Sequence, residues 1–231
     1  MSISTGDGME QTMKHFLTML ILLPALLGAT EKTVFREDFE KLIPGQEYKK
    51  LGKLWGSSEN TMIGGTNESA ADGEKSLLFQ IDKSKMHGYR LALPDSAGKN
   101  MVLEYKFLLD GTGSFGWELR RGASQVLIGW GFGQRGFTAG SRIKSNKKRN
   151  GRFGMAIDKN IWYSVKLELP GTGSGSDTAK ITLTNTGTKV SVSREINWKA
   201  PGKNIGFCFN VPAGGGSYRV FIDSIRYFSV E

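Results

Sequence analysis

From residue 33 onward, apolar side chains recur at every second position. Met101 to Leu109 places Leu103, Tyr105, Phe107 and Leu109 on one face and Glu104 and Lys106 on the other. Trp162 to Leu169 sets Tyr163, Val165, Leu167 and Leu169 against Ser164, Lys166 and Glu168. A period of two is that of a strand with one face in a core. The same pattern predicts strands near 33–40, 76–82, 88–93, 114–121, 124–132, 151–157, 179–185, 188–196, 203–211 and 217–229. Turn signals separate them, among them Asp110-Gly111-Thr112-Gly113, Pro170-Gly171-Thr172-Gly173-Ser174-Gly175 and Ala213-Gly214-Gly215-Gly216. Alternating stretches around Ile181–Thr184 and Val190–Ser193 flank Asn185-Thr186-Gly187-Thr188, which predicts a hairpin with an outward face of threonine and serine. The 31 glycines are spread over these turns and no repeat is visible. The expectation is an all-β, antiparallel jelly-roll β-sandwich forming a single domain over residues 30–231.

The first 29 residues break this pattern. Met13-Lys14-His15 precedes an apolar run from Phe16 to Leu27, then Gly28 and Ala29. A cationic tip, a short apolar stretch and small residues at the end predict a cleaved export signal behind a polar extension. The run of about 12 residues falls short of the roughly 20 that a spanning helix needs. The mature chain is therefore expected to have no membrane span and to lie outside the cytoplasm, in a periplasm, on a cell surface or in the medium. Cys208, inside Ile205-Gly206-Phe207-Cys208-Phe209, is the only cysteine and has no internal disulfide partner; it reads as a small buried hydrophobe.

Charge adds one feature. Removing Lys14, Asp7 and Glu10 with the leader from the 31 basic and 22 acidic residues leaves a net +10. Much of the excess sits in one polar loop or hairpin tip with Arg142, Lys144, Lys147, Lys148, Arg149 and Arg152. Such a loop attracts polyanions through its summed field. No nucleic-acid-binding module accompanies it, so an acidic polysaccharide or envelope surface is the partner expected, and nucleic acid is not.

Further motifs carry a resemblance. The domain opens on Phe35-Arg-Glu-Asp38-Phe39-Glu40, continues through Pro44-Gly45, Trp55 and Asp72-Gly-Glu-Lys-Ser-Leu77, and closes on Val220-Phe-Ile-Asp223-Ser-Ile225. In this order it resembles the concanavalin A-like lectin/glucanase jelly rolls of secreted bacterial proteins, including laminin-G-like domains. It also looks like the calcium-bearing galactose-binding-like jelly rolls, the alternative fold. The resemblance implies that the first and last strands lie side by side, so that Asp38, Glu40 and Asp223, with carbonyls near Asp72 and Gly73, hold a structural calcium ion. The competing reading is that Asp223 caps a bulge, since Ile222 and Ile225 break strict alternation, while Asp38 and Glu40 pair with lysines.

The residues favour binding over catalysis. Glycoside hydrolysis needs two carboxylates about 5 Å apart in the retaining case, but Glu104, Glu118, Glu168 and Glu195 stand alone on their strands. Asp38 and Glu40 have i, i+2 spacing, but on a first strand that the resemblance makes structural. The alginate-lyase-like jelly rolls use an Arg-x-Glu-Leu-Arg strand, which Trp117-Glu118-Leu119-Arg120 matches in part, and a Gln-x-His strand that is missing at Gln125-Val126-Leu127. His87, in His87-Gly88-Tyr89-Arg90, is the only histidine of the mature chain. The disaccharide-hydrolase relatives of this fold carry an Asn-Ser-Gly strand where this chain has Gly113-Ser114-Phe115-Gly116. No catalytic residue is assigned; if the chain is an enzyme, it is a glycoside hydrolase or polysaccharide lyase. A purely structural envelope or matrix role is the third class. Phe115, Trp117 and Leu119 share one face, as do Val126, Ile128, Trp130 and Phe132, and both stripes read as core. A carbohydrate site is therefore expected on the polar side, at Tyr89, Arg90, Glu118 and Arg120, with Arg142 at its rim.

Overall fold

The described residues form fifteen strands and no helix. In chain order these are β1 (Glu31–Glu37), β2 (Leu54–Gly56), β3 (Thr61–Thr66), β4 (Ser76–Ile81) and β5 (His87–Ala92). Next come β6 (Met101–Gly111), β7 (Phe115–Arg121), β8 (Gln125–Gly133), β9 (Gly136–Ser141) and β10 (Gly151–Arg152). The last five are β11 (Trp162–Leu169), β12 (Thr178–Asn185), β13 (Ser191–Asn197), β14 (Ile205–Val211) and β15 (Tyr218–Val230). This computed structural model describes residues 30–46, 54–56, 61–81, 87–95, 98–122, 125–133, 136–141, 151–200, 205–211 and 217–231. The export leader expected over residues 1–29 lies outside them. No helix among the described residues is long and apolar enough to cross a membrane. Lys32–Val230 form the unit that carries the sandwich.

Two antiparallel sheets build it. The larger has the order β13-β12-β11-β6-β15-β4-β3, with β1 also paired to β15; the smaller runs β10-β9-β8-β7-β14-β5-β2. First and last strands are thus neighbours. Alternation does what the sequence pattern predicts: β11 reads intermediate–buried throughout, with Tyr163, Val165, Leu167 and Leu169 in the core. Aromatic rings join the two sheets. Phe79 lies edge-on to Phe115 at 5.2 Å, and Phe107 of β6 meets Trp117 of β7 at 4.9 Å and Phe132 of β8 at 5.7 Å. Such pairs contribute roughly 0.5–1.5 kcal/mol each beyond their burial. The Trp130 indole N–H donates to the Tyr105 hydroxyl across the core at 2.6 Å.

Some expectations change. β1 ends at Glu37, so Phe39 reaches the core from a left-handed turn residue (φ 60°) and not by strand alternation. A bulge between Leu119 and Arg120 inserts Leu127 into the core stripe of β8 and pairs Val126 with Arg120, so Val126 leaves that stripe. The strand expected over 151–157 is only Gly151–Arg152, while β2, β3 and β9 form without having been predicted.

The predicted hairpin is β12–β13. Asn185 closes it, its Oδ1 accepting from the Gly187 and Thr188 amides at 3.0 Å. Outward hydroxyls pair across the strands, Thr182 with Ser193 and Thr184 with Ser191, both at 2.8 Å.

Candidate functional site

The second face of the smaller sheet gathers the predicted polar residues. In β7, Phe115, Trp117 and Leu119 enter the core, so Gly116, Glu118 and Arg120 take the opposite side. In β14, Ile205, Phe207 and Phe209 are core and Gly206, Cys208 and Asn210 alternate with them. Register then lines these positions up in rows across the strands. One row reads Arg90–Cys208–Glu118–Gly129–Gly140. On one side of it runs Asn210–Gly116–Gly131–Thr138–Arg152. On the other side runs Ala92–Gly206–Arg120–Val126.

Two properties mark this face. First, its charged groups are close and partly shielded. Arg120 Nε lies 2.6 Å from Glu118 Oε2, and the two side chains keep only 21% and 17% of their exposure. Cys208 lies fully buried between the arginines, and burial pushes its thiol up to about 11; Arg120 and Arg90 pull it down, and Glu118 pushes it up. A thiol in that state is packing, as expected, and not a nucleophile. Register places Cys208 between Arg90 and Glu118, and Arg120 is paired to Glu118.

Second, much of the face has no side chains. Gly131 is required for packing: a Cβ there would overlap the Phe115 carbonyl oxygen and lie 2.7 Å from the Gly116 Cα. Gly116 and Gly129 are not required. A Cβ at Gly116 would meet nothing nearer than the Trp130 carbonyl oxygen at 3.5 Å, and at Gly129 nothing nearer than Glu118 Cγ at 3.7 Å, both ordinary contacts. Neither residue has the positive φ that favours glycine. Both are partly exposed, so β7 and β8 offer two neighbouring positions on this face without a side chain, whereas Gly131 is buried.

The outer face of the larger sheet is different. Its charges pair with each other: Lys106 with Asp72 at 2.5 Å, Arg226 with Glu104 at 3.5 Å, Lys166 with Glu168 at 3.4 Å, and Arg219 with Asp110 at 2.5 Å. Hydroxyls of β12 and β13 pair likewise, and Leu78, Leu108 and Phe221 form a small apolar cluster with Trp162 apart from the main core.

The structure thus brings together Arg90, Glu118 and Arg120. Tyr89 belongs to β5, where its backbone pairs with Phe209 and Leu54; its side chain lies outside the described residues. So do Arg142, Lys144, Lys147, Lys148 and Arg149, in the connection between the paired strands β9 and β10. Arg152 is described, exposed in β10, and its carbonyl accepts from Arg194 Nε at 3.1 Å. The glycine floor, Cys208 and Asn210 were missed from sequence. The signal was present in β8, where Gly129, Gly131 and Gly133 alternate with Ile128, Trp130 and Phe132: the residues that mark the core stripe also define the bare stripe.

The residues expected to hold calcium are arranged otherwise. Asp223 is fully buried at a bulge in β15 and faces N–H donors: Ala71 N at 2.8 Å and Asp72 N at 3.0 Å on Oδ2, and Ser224 N at 2.6 Å on Oδ1. Burial raises its pKa, and the same three amides pull it down. Glu40 Oε1 accepts from the Glu74 and Lys75 amides at 3.0 and 3.1 Å, and Asp38 Oδ1 accepts from the Glu40 amide at 3.4 Å. It is the amides of the loop before β4, not its carbonyls, that face Asp223 and Glu40. A ring of N–H dipoles suits an anion and repels a cation, so this arrangement does not fit calcium. No group of three His, Cys, Asp or Glu able to hold a metal ion occurs among the described residues. The bulge-cap reading is the one the geometry matches. Glu40 meets Lys75 through its carbonyl, which accepts from Lys75 Nζ at 2.8 Å, and Asp38 lies 3.8 Å from Arg36 in place of a lysine.

No family model and no curated protein matches this chain. Solved structures do. The chain is similar to the marine PL-14 alginate lyase from Aplysia kurodai, at 14% identity over 86% of this chain and 99% of that one, with a TM-score of 0.61. It is similar to the endo-β-1,4-glucuronan lyase of the fungus Trichoderma reesei, at 9% identity over 86% and 96%, with a TM-score of 0.54. It is also similar to the lumenal domain of VIP36 in its Ca2+- and mannose-bound form, at 9% identity over 87% and 91%, with a TM-score of 0.52. At these identities the likeness shows the fold, a jelly-roll sandwich of the kind found in lectins and lyases.

Proposed function

We propose that this protein is an exported carbohydrate-binding jelly roll that holds an acidic polysaccharide across the second face of its smaller sheet, without cleaving it. The observation that carries the reading is the contrast between the two outer faces. One carries paired charges and hydroxyls and a small apolar cluster. The other has partly exposed positions without side chains at Gly116, Gly129 and Gly140, beside a partly shielded cluster of Arg90, Arg120 and Glu118. Alginate and glucuronan are uronic acid chains with a carboxylate on each sugar, and guanidinium groups are the side chains best shaped to pair with carboxylates. Sharing a fold with lyases of such chains and with a lumenal domain solved in a mannose-bound form supports a glycan as the ligand.

The chemistry of the face favours binding. Glu118 is the only carboxylate in the three rows, whereas glycoside hydrolysis takes two. Glu118 is also paired with Arg120. The test is native electrophoresis in gels containing alginate or a neutral glucan. The wild-type chain is retarded by alginate. Gly129→Tyr, which puts a ring on the floor where space exists, runs unretarded while retaining the wild-type circular dichroism. Equal retardation of both proteins would overturn this site.

A second reading, a polysaccharide lyase, is favoured by one observation: Glu118-Leu119-Arg120, which matches part of the lyase-like strand motif, lies on the central strand of this face. Under it, incubation with alginate produces the ultraviolet absorbance of unsaturated uronate ends. Under the binding reading, absorbance stays flat at enzyme-like protein concentrations.

A further inference from the structure

Gly206 differs from the other glycines of the face. A Cβ there would overlap Arg90 Nε and stand 2.9 Å from its Cζ and 3.0 Å from its Cδ. The Arg90 side chain therefore leans along the sheet from its own row and lies directly over Gly206. On the other side of Gly206, in register, is Arg120. Arg120 is turned toward Glu118, two residues back on its own strand. The Arg90 guanidinium from β5 thus lies on β14 at the one position where that strand offers neither side chain nor bulk, and the residue in register with that position on β7 is Arg120.

We infer that Gly206 is the specificity-determining residue of the proposed glycan site: by leaving the floor of β14 empty, it seats the Arg90 guanidinium beside Arg120 and makes the site select carboxylate-bearing sugars over neutral ones. The inference rests on the reading of this face as a glycan site and adds to it a determinant that touches no ligand.

Three physical points carry it. The Glu118 tether fixes Arg120, so its position does not depend on residue 206. Arg90 comes from β5, and its path over Gly206 exists only because Gly206 lacks a Cβ. A guanidinium carries five N–H donors in a planar fork, so Arg90 can keep a protein partner and still present donors to a carboxylate. Partial shielding also matters. Glu118 and Arg120 are mostly covered, and a charge pair gains strength as the local dielectric falls. A neutral sugar arriving here would further desolvate the cationic groups without compensating their charge, while a uronate does both.

The clash at residue 206 is with the far end of a flexible side chain and not with backbone. Gly206→Ala should therefore fold normally and displace Arg90 without changing the charge of the protein, which separates position from charge. The measurement is calorimetric titration of purified wild-type, Gly206→Ala, Gly173→Ala and Arg90→Lys proteins with an alginate oligosaccharide and with a neutral glucan oligosaccharide of the same length. Wild type is expected to bind the alginate oligosaccharide at least tenfold more tightly than the glucan. Gly206→Ala should lose most of that preference through weaker alginate binding, with glucan binding unchanged. Gly173→Ala, a methyl in open space in the connection between β11 and β12 and away from this face, should keep the preference. Arg90→Lys, which keeps the charge but not the fork, should fall between. A Gly206→Ala protein with the wild-type preference, or one that weakens both ligands equally, overturns the inference while leaving the glycan site standing. A wild-type protein that binds neither oligosaccharide fails the underlying site itself.

Discussion

Replacing Asp223 by alanine tests how the two ends of the domain are joined. The carboxylate is fully buried and accepts from three backbone amides, those of Ala71, Asp72 and Ser224. Ser224 follows in the left-handed region (φ 53°), and its hydroxyl donates to Asp72, which also holds Lys106. Removing the acceptor leaves the Ala71 and Ser224 amides, both half-buried, without their partner; the exposed Asp72 amide can turn to water. At about 1–3 kcal/mol for each unsatisfied buried group, less the relief of no longer burying a carboxylate, the net loss is about 2–3 kcal/mol. For a domain of this size that lowers Tm by about 5–10 °C. The pH dependence has a definite sign. Burial raises the folded-state pKa of Asp223 above its unfolded value, so its contribution is complete below the unfolded pKa, about 3.9, and is lost as pH rises through the folded value. Asp223→Asn does not titrate there, and the gap between wild type and Asp223→Asn therefore narrows from about pH 4 toward neutrality. The assay is thermal melting followed by circular dichroism, with calcium and with chelator. A calcium-dependent rise in the wild-type Tm that is absent in Asp223→Ala would refute the amide-cap account. So would an Asp223→Ala protein that melts with the wild type.

Other outcomes are equally specific. Gly131→Ala drives a methyl into the backbone of β7 and should cost about 1–3 kcal/mol, whereas Gly116→Ala on the neighbouring strand should stay within about 0.5 kcal/mol of wild type; urea unfolding midpoints decide. Trp130→Phe removes the N–H that the buried Tyr105 hydroxyl accepts and should destabilise by about 1–3 kcal/mol, read from the same unfolding curves. If the basic connection between β9 and β10 adds to polyanion attraction, changing Lys147, Lys148 and Arg149 together to serine lowers the salt needed to elute the protein from heparin; unchanged elution removes that segment from the account.

How much of this was legible depends on what each residue answers to. Strand faces were legible, because burial on one side imposes a period of two; β11 follows the expected alternation residue by residue, and β6 follows it from Leu103 to Phe107 but buries Val102 and Leu108 on its other face as well. Short strands were not. β2 and β9 are held by register with their neighbours and carry little apolar signal of their own: β9 is Gly136-Phe-Thr-Ala-Gly-Ser141. The bulge at Leu127 was invisible because Val126 and Leu127 are equally apolar, and only pairing with β7 decides which one turns inward. Arg90, Glu118 and Arg120 were found as the polar partners of a core stripe, which is a local inference. Gly206 was out of reach from sequence, since its meaning depends on an arginine 116 positions earlier in the chain lying across it. The expected calcium ligands show the reverse failure. Acidic residues at both ends of the domain do converge on one loop, but whether amides or carbonyls of that loop face them is a matter of backbone direction that no residue type reveals.

The central claim is that a glycan lies across the second face of the smaller sheet. Amide chemical-shift mapping during titration with an alginate oligosaccharide tests it most directly. The account predicts that the resonances that move are those of Gly116, Glu118, Arg120, Gly129, Gly131, Gly206 and Asn210, with the hydroxyl-lined strands β12 and β13 silent. Shifts confined to β12, β13 and the outer face of the larger sheet, or no shifts at millimolar oligosaccharide, would contradict it.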